Sequence, residues 1–334
     1  KKVAKRDIPL EWKIIMVHAK ERELKEDPRM YAMACFEMRL VLASLEANLA
    51  NHIYKYLRPQ TMIDDRTTIQ HRFLKQTLPI ISTTNIKFIV EVDLSKWNLH
   101  WKPDTVHPVG KVADALHGTK GLFTYVHEFF AECLICNRTR EIPPDQVMNP
   151  SPPESDCLWY NHWAGFEGQA QKLWSWITYG MLANAVNGLP IDYQLTGQGD
   201  NQVLIIVAPY VTGLNKEDST LHWAGIIRRR INEECEKVYQ IAKEEEFVMT
   251  LDTLTYSKEV YVRAMDYGLS IKFLKLFPNT SNAFPSIRDE VGAIFSSSLV
   301  DADRLHNPER GYLNALIIAT DHLYRAFKGL NLYS

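Results

Sequence analysis

Leu195-Thr196-Gly197-Gln198-Gly199-Asp200-Asn201-Gln202-Val203 is the stretch whose reading decides the fold. It reads as two strands joined by a tight turn. Tyr193 and Leu195 lead in, an apolar run from Val203 to Val207 leads out, and Gly-Asp-Asn at the bend tolerates left-handed backbone. Taken alone, the tripeptide favours an ordinary hairpin, because Asp and Asn are common turn residues. Its payload points elsewhere. A carboxylate at a hairpin tip sits on a rigid support, which is the condition a divalent metal site imposes.

A second segment matches it. Ile86, Phe88, Val90 and Val92 alternate with Lys87, Glu91 and Asp93, the period of a strand with one apolar face. That strand ends on Asp93, followed by Leu94-Ser95-Lys96-Trp97-Asn98. One strand-terminal Asp reads as a helix N-cap. Two aspartates, one ending a strand and one on a hairpin tip, form a pair able to converge on divalent ions.

The remaining segments set the frame. The chain has 334 residues, 46% of them hydrophobic, which suffices for one large domain or two ordinary ones. Its formal charge of -2 advertises no global affinity for nucleic acid, so any such surface is local. No apolar run approaches a membrane span and no signal peptide opens the chain, so no membrane partner is expected. The five cysteines are scattered and odd in number, which suits a reducing compartment. The chain opens on Lys1, and the expectation is a piece of something longer or a processed product.

Residues 1–30 hold nine basic residues against six acidic ones. Within them, Lys20-Glu21-Arg22-Glu23-Leu24-Lys25 reads equally as a solvated helix face or as a basic arm for a polyphosphate. Helical patterns are expected over Met30–Tyr56, Leu116–Cys136, Leu221–Phe247 and the last sixty residues, with the glutamates at 244–246 on a solvated face. Cys133 and Cys136, with Cys157 and His162, match no standard zinc spacing and lie on an apolar pattern, which weighs against zinc. Arg140–Cys157 reads as a proline-rich loop. A glycine loop, Gly165-Phe166-Glu167-Gly168, feeds a helix from Gln171 and Lys172, a weak signal for close approach to a backbone or base.

In order, then, the chain offers a basic arm, a strand ending in Asp93, a glycine loop with a helix, a hairpin carrying Asp200 and a late lysine. A palm-type polymerase needs that set, since two carboxylates must hold two divalent ions at the reacting phosphate. At these residues the chain resembles the RNA-dependent RNA polymerase of the large (L) proteins of nonsegmented negative-strand RNA viruses. Gln198-Gly199-Asp200-Asn201-Gln202 resembles that group's active-site motif, where other polymerases usually show Gly-Asp-Asp. Lys20 to Lys25 with Arg29 looks like motif F, Asp93 with Lys96-Trp97-Asn98 like motif A, and Gly165, Glu167-Gly168 and Gln171-Lys172 with Trp174 like motif B. Tyr256-Ser257-Lys258 sits where the motif D-to-E segment lies. The nearest likeness is to rhabdovirus, nyamivirus or bornavirus polymerases. Two places depart from it: Ala164 stands where the motif B loop often has another glycine, and Val17-His18-Ala19 is an unusual lead into motif F. His71-Arg72 is taken as a chance match to a capping motif.

The resemblance implies an α+β, right-hand fold with an antiparallel palm sheet flanked by helices. Residues 1–84 would be fingers with the motif F arm, 85–255 the palm with interleaved fingers, and 256–334 the end of the palm and start of the thumb. It implies metal ligation by Asp93 and Asp200 with two Mg²⁺ or Mn²⁺ ions, Asn201 beside them, and Lys258 as general acid. Lys20, Arg22, Lys25, Arg29, Lys96, Trp97, Asn98, Gly165, Glu167, Gly168, Gln171, Lys172 and Gly199 would contact substrate. The partners it implies are NTPs, RNA template and nascent RNA, a viral phosphoprotein and a nucleoprotein-coated genome. The place is the virion and host cytoplasm, or the host nucleus for a bornavirus-like member. A rival from another class is a non-catalytic RNA- or nucleoprotein-binding remnant of an endogenised viral gene; intact Asp93, Glu167, Gly199 and Asp200 count against decay. A metal-dependent nuclease shares the two-ion chemistry but leaves the basic arm unexplained.

Overall fold

Ile15 and Val17 alternate with Met16 and His18 along β1 (Ile14–Ala19), and that period of two buries one face while Met16 stays exposed. The computed structural model describes residues 2–19, 30–137, 157–257, 259–267, 286–302 and 308–329. The chain divides into two compact units, Lys1–Ile69 with Ile80–Leu251, and Gln70–Pro79 with Asp252–Ser334.

In the first unit β1 pairs antiparallel with β2 (Met30–Met33), Ala19 opposite Met30. The helix expected from Met30 therefore starts later, as α1 (Phe36–Leu49), because β1 claims Met30–Met33 as a strand. α2 (Arg66–Gln76), most of which falls in the second unit, precedes β3 (Asn85–Asp93) in the chain. After β3 come α3 (Trp97–His100), α4 (Pro103–His117) and α5 (Tyr125–Glu132), then β4 (Leu134–Asn137), parallel to β1, and β5 (Leu158–Trp159). One helix was expected across Leu116–Cys136. It is split because Gly118, in left-handed backbone, ends α4, and the buried Asp114 carboxylate collects the amides of Leu122, Phe123 and Thr124. The cysteines at 133 and 136 are buried, and burial pushes both thiols up.

α6 (Gln171–Val186) leads to the hairpin of β6 (Asp192–Gln198) and β7 (Asn201–Pro209). β7 lies antiparallel to β3 along its whole length, from Asn85 opposite Pro209 to Asp93 opposite Asn201. With β8 (Val248–Thr250) they form an antiparallel sheet in the order β6-β7-β3-β8. Both faces of β3 are buried, Lys87 and Ile89 included. α6 packs on β6, and α7 (Lys216–Lys237) on β3. Asn215 caps α7 by accepting from the Asp218 amide at 2.8 Å.

The second unit carries a three-stranded sheet of β9 (Thr253–Tyr256), β10 (Glu259–Val262) and β11 (Met265–Asp266). Phe73 is fully buried there, its ring 4.7 Å from Tyr256 and 5.2 Å from Tyr261. Among its described residues are also two helices, α8 (Ile287–Ala302) and α9 (Pro308–Gly329), with Gly311 packed on the backbone of Ala302. The protein is thus of mixed α+β class. Among the described residues no helix is long and apolar enough to cross a membrane.

Candidate active site

The β6–β7 turn consists of Gly199 and Asp200, closed by the pair Gln198–Asn201. Gly199 takes φ +60, which a side chain would resist at the first position of so tight a turn. Gln202 locks the turn from inside. Its Nε2 donates to the Gly199 carbonyl at 2.8 Å, and its amide crosses Gly197 so closely that a β-carbon there would lie 1.7 Å from Oε1. Beneath the turn lies Trp97, 3.7 Å from where a β-carbon on Gly199 would stand.

Strand register brings the two aspartates together. Asp93, the last residue of β3, faces Asn201, and the next amide, Leu94, donates to the Asp200 carbonyl at 3.2 Å. Asn201 Nδ2 in turn donates to Asp200 Oδ1 at 3.3 Å. The Asp93 carboxyl is pushed up to about 6, mainly because burial strips its water, with the charge of Asp200 adding to the effect and Lys243 opposing it. Lys243 Nζ stands 2.7 Å from Asp93 Oδ1 and 2.7 Å from Glu246 Oε1.

The helix expected over Leu221–Phe247 ends early, at Lys237, which frees Lys243 from it. α7 stops at Lys237 because Tyr239 turns left-handed at φ +59, the Tyr239 amide donates to Glu236 at 3.3 Å, and the Gln240 amide to Cys235 at 2.9 Å. These are the paired bonds of a Schellman cap, with tyrosine where glycine is usual. The chain then runs alongside the end of β3. Leu94 pairs with Ala242, Ser95 N donates to Ile241 O at 2.8 Å, and Lys243 N donates to Asp93 O at 3.0 Å.

The glycine loop is tied to the same region. Gly165 N donates to Asn98 O at 2.9 Å, and Gly165 lies on the indole of Trp174. Gln169 Nε2 donates to Ala32 O of β2 at 3.3 Å. Trp174 Nε1 donates to His127 Nε2 at 3.0 Å, which fixes the proton of this imidazole on Nδ1, where it donates to Trp163 O at 3.1 Å. Trp97 Nε1 donates to Thr178 Oγ1 at 3.1 Å, and Thr178 Oγ1 donates to Trp174 O at 3.0 Å. One buried relay therefore joins the turn, the segment after β3 and the start of α6.

Asp93, Asn98, Gly165, Gly199, Asp200 and Asn201 are thus gathered around the end of β3. Trp97 is 5% exposed and supports the turn from below. Lys96 is exposed and left-handed at φ +44. Gln171 opens α6, Glu167 is half-buried and Gly168 takes φ +84. Lys172 is held by Glu46 of α1, which accepts its amide at 3.2 Å and its ammonium at 3.4 Å. Lys20, Arg22, Lys25, Arg29 and Lys258 lie outside the described residues.

Two hard carboxylates at adjacent strand ends suit Mg²⁺ or Mn²⁺, and an ammonium already lies on one of them, so the donor set fits a cation. Among the described residues no group of three or more His, Cys, Asp or Glu is arranged as a metal cage. Ions here would lean on Asp93, Asp200 and on ligands that arrive with the substrate.

A family model described as Mononegavirales RNA dependent RNA polymerase matches residues 9–327. The chain belongs to this family. Among relatives of this polymerase-family chain, the large structural protein of Mokola virus is 30% identical over 257 residues, 73% of this chain and 12% of that protein. The RNA-directed RNA polymerase L of Maize mosaic virus is 28% identical over 295 residues, 85% of this chain and 15% of that one. That of European bat lyssavirus 1 is 28% identical over 257 residues, 73% of this chain and 12% of the relative. The chain thus spans 12% to 15% of the length of these relatives.

Proposed function

We propose that this chain is the catalytic core of an RNA-dependent RNA polymerase of L-protein type, which joins NTPs to a growing RNA on an RNA template to transcribe and replicate a negative-strand genome. The observation that carries the reading is the adjacency of Asp93, ending β3, and Asp200, on the β6–β7 turn, held together by strand register. In this reading the antiparallel sheet is the palm of a right-hand fold, with residues 1–84 in the fingers, 85–255 the palm and 256–334 leading into the thumb.

Asp93 and Asp200 would hold two Mg²⁺ or Mn²⁺ ions, which would lower the pKa of the primer 3′-hydroxyl and neutralise charge on the transferred phosphoryl group. The hydroxyl oxygen attacks the α-phosphorus and pyrophosphate leaves on the opposite side. Gly199 and Gln202 keep the turn rigid, so Asp200 needs no reorganisation as charge develops. Lys20, Arg22, Lys25 and Arg29 hold the triphosphate; the hairpin of β1 and β2 sets the ends of their segment side by side. Lys96, Asn98, Glu167 and Gln171 line the approach of substrate and RNA, with Gly165 and Gly168 shaping the loop. Trp97 and Lys172 belong to the same substrate-contacting set, the indole also packing under the turn and the ammonium also pairing with Glu46. Lys258 donates the proton to pyrophosphate, a role that rests on the family resemblance. A phosphoprotein, a nucleoprotein-coated genome, and residence in virion and host cytoplasm belong to the same proposal.

Primer extension by the intact protein on an RNA template tests it, with Asp200→Ala as control. Template-directed extension by the wild type and none by the variant is expected. A wild type that binds RNA without extending it would favour the non-catalytic remnant.

A further inference from the structure

We propose that Lys243 is the resident counter-ion of Asp93, so that a divalent ion enters by exchange with this lysine. The inference rests on the reading of Asp93 and Asp200 as a metal pair. Its basis is geometric. The Lys243 ammonium is 2.7 Å from Asp93 Oδ1, an oxygen that a divalent ion would need. The lysine does not reach Asp93 by a chance rotamer. Leu94 pairs with Ala242, Ser95 N donates to Ile241 O at 2.8 Å, and Lys243 N donates to Asp93 O at 3.0 Å, so backbone on both sides fixes the pairing.

The need for a counter-ion follows from burial. The Asp93 side chain is only 16% exposed and stands beside a second carboxylate, where an unpaired negative charge is costly. The Lys243 ammonium supplies the opposing charge when no divalent ion does. Lys243 also has an exit. Glu246, 49% exposed, already accepts the same ammonium at 2.7 Å on the solvent side, so the displaced lysine retains one ion pair. Among the described residues no such cation lies on Asp200, whose carboxylate accepts from the neutral Asn201 amide. The exchange is therefore confined to Asp93. Metal in the nucleotide-free protein must compete with a tethered ammonium, and its affinity is lower than the two carboxylates alone would give.

Calorimetric titration of the nucleotide-free, intact protein with Mn²⁺ tests the exchange, using wild type, Lys243→Met and Lys243→Arg. Lys243→Met is expected to bind Mn²⁺ on the order of tenfold more tightly than wild type, and Lys243→Arg no more tightly. A second readout needs no variant. Acylation of the Lys243 amine, followed by mass spectrometry of the wild type, is expected to quicken on adding Mn²⁺, whereas Lys237, paired with Glu234 on α7, serves as the unchanged reference. Equal affinities for wild type and Lys243→Met, or a Lys243 acylation rate indifferent to bound Mn²⁺, would overturn the exchange and leave the metal pair standing. Absence of Mn²⁺ binding by both proteins would overturn the metal pair itself and the exchange with it.

Discussion

Gly165 lies flat against Trp174: a β-carbon on Gly165 would stand 2.2 Å from Cη2 of the indole and 2.9 Å from the carbonyl of Asn98. The loop can follow this path only because residue 165 has no side chain. Trp174 is fully buried and its Nε1 is committed to His127, so it has little freedom to yield. Gly165→Ala is expected to cost about 1–3 kcal/mol of stability, the usual range for forcing an extra carbon into a packed core. Denaturant unfolding measures it, and wild-type stability in the variant would mean that the indole steps aside.

The turn offers a second steric test. Gln202 occupies the space over Gly197 and is 1% exposed. Gly197→Ala should therefore destabilise, and Gln202→Ala should too, by about 1–3 kcal/mol for the Gly199 carbonyl left without its partner. Combined, the two substitutions should cost less than their sum, because the new methyl then occupies space the glutamine has vacated. Additive costs in a double-mutant cycle would show that the two side chains do not compete.

Asp93→Asn and Asp200→Asn should each reduce primer extension by about a hundredfold or more, the scale of removing one electrostatic group at a reacting centre. Melting temperature should fall little in either: Asp200→Asn removes one of two neighbouring carboxylates, and after Asp93→Asn the Lys243 ammonium keeps its pair with Glu246. Extension within threefold of wild type in either variant would remove that residue from the metal pair.

His127 sets a pH dependence. It is fully buried, and burial chiefly holds its imidazole down at about 4 against an ordinary 6.5, with His107, His162 and Lys102 adding positive charge nearby. The unfolded chain binds this proton between those values and the folded chain does not, so stability rises with pH through the window. The contribution is complete above pH 6.5 and is lost as pH falls toward 4, up to about 3 kcal/mol. His162, also held down by burial, acts in the same direction. His127→Gln keeps a donor and an acceptor without titrating, so its melting temperature should fall less steeply from pH 7 to 5. An unchanged slope would assign the dependence to other groups.

The hairpin, β3 and the approach of their aspartates were legible because strand period and turn chemistry are local: β-branched alternation, then Gly-Asp-Asn, suffice to place Asp93 and Asp200 at strand ends. Lys243 was not legible. Its position depends on where α7 stops, and Tyr239 does there what glycine usually signals. The only local hint was a lysine opening the run Lys243-Glu244-Glu245-Glu246, which reads just as well as a solvated face. The split near Asp114 was hidden for a similar reason: one carboxylate gathers amides from beyond its own helix, a contact without periodicity. Trp97 and Lys172 hold structural contacts that their motif positions did not signal, the indole lying under the turn and the ammonium on Glu46.

Asn201 is the residue at which the motif departs from the commoner Gly-Asp-Asp, and the structure gives its amide a task. Nδ2 donates to Asp200 Oδ1 at 3.3 Å, while the residue itself faces Asp93 across the β3–β7 pair. An aspartate in its place would lose that donor and set a third carboxylate between the other two. Like charges directly opposite one another in a sheet are destabilising, so the metal-free Asn201→Asp protein should be less stable than wild type by about 1 kcal/mol. Mn²⁺ should reverse the order. A third hard oxygen ligand tightens binding, and whatever binds only the folded state stabilises it in proportion to the logarithm of its concentration over Kd. The variant should thus melt lower than wild type without metal and gain more on adding Mn²⁺. Its extension rate need not rise, because tighter binding in the ground state leaves the barrier unchanged unless the transition state gains more. Thermal melts of both proteins, with and without Mn²⁺, decide the matter. Coincident curves under both conditions would mean that residue 201 merely continues the strand.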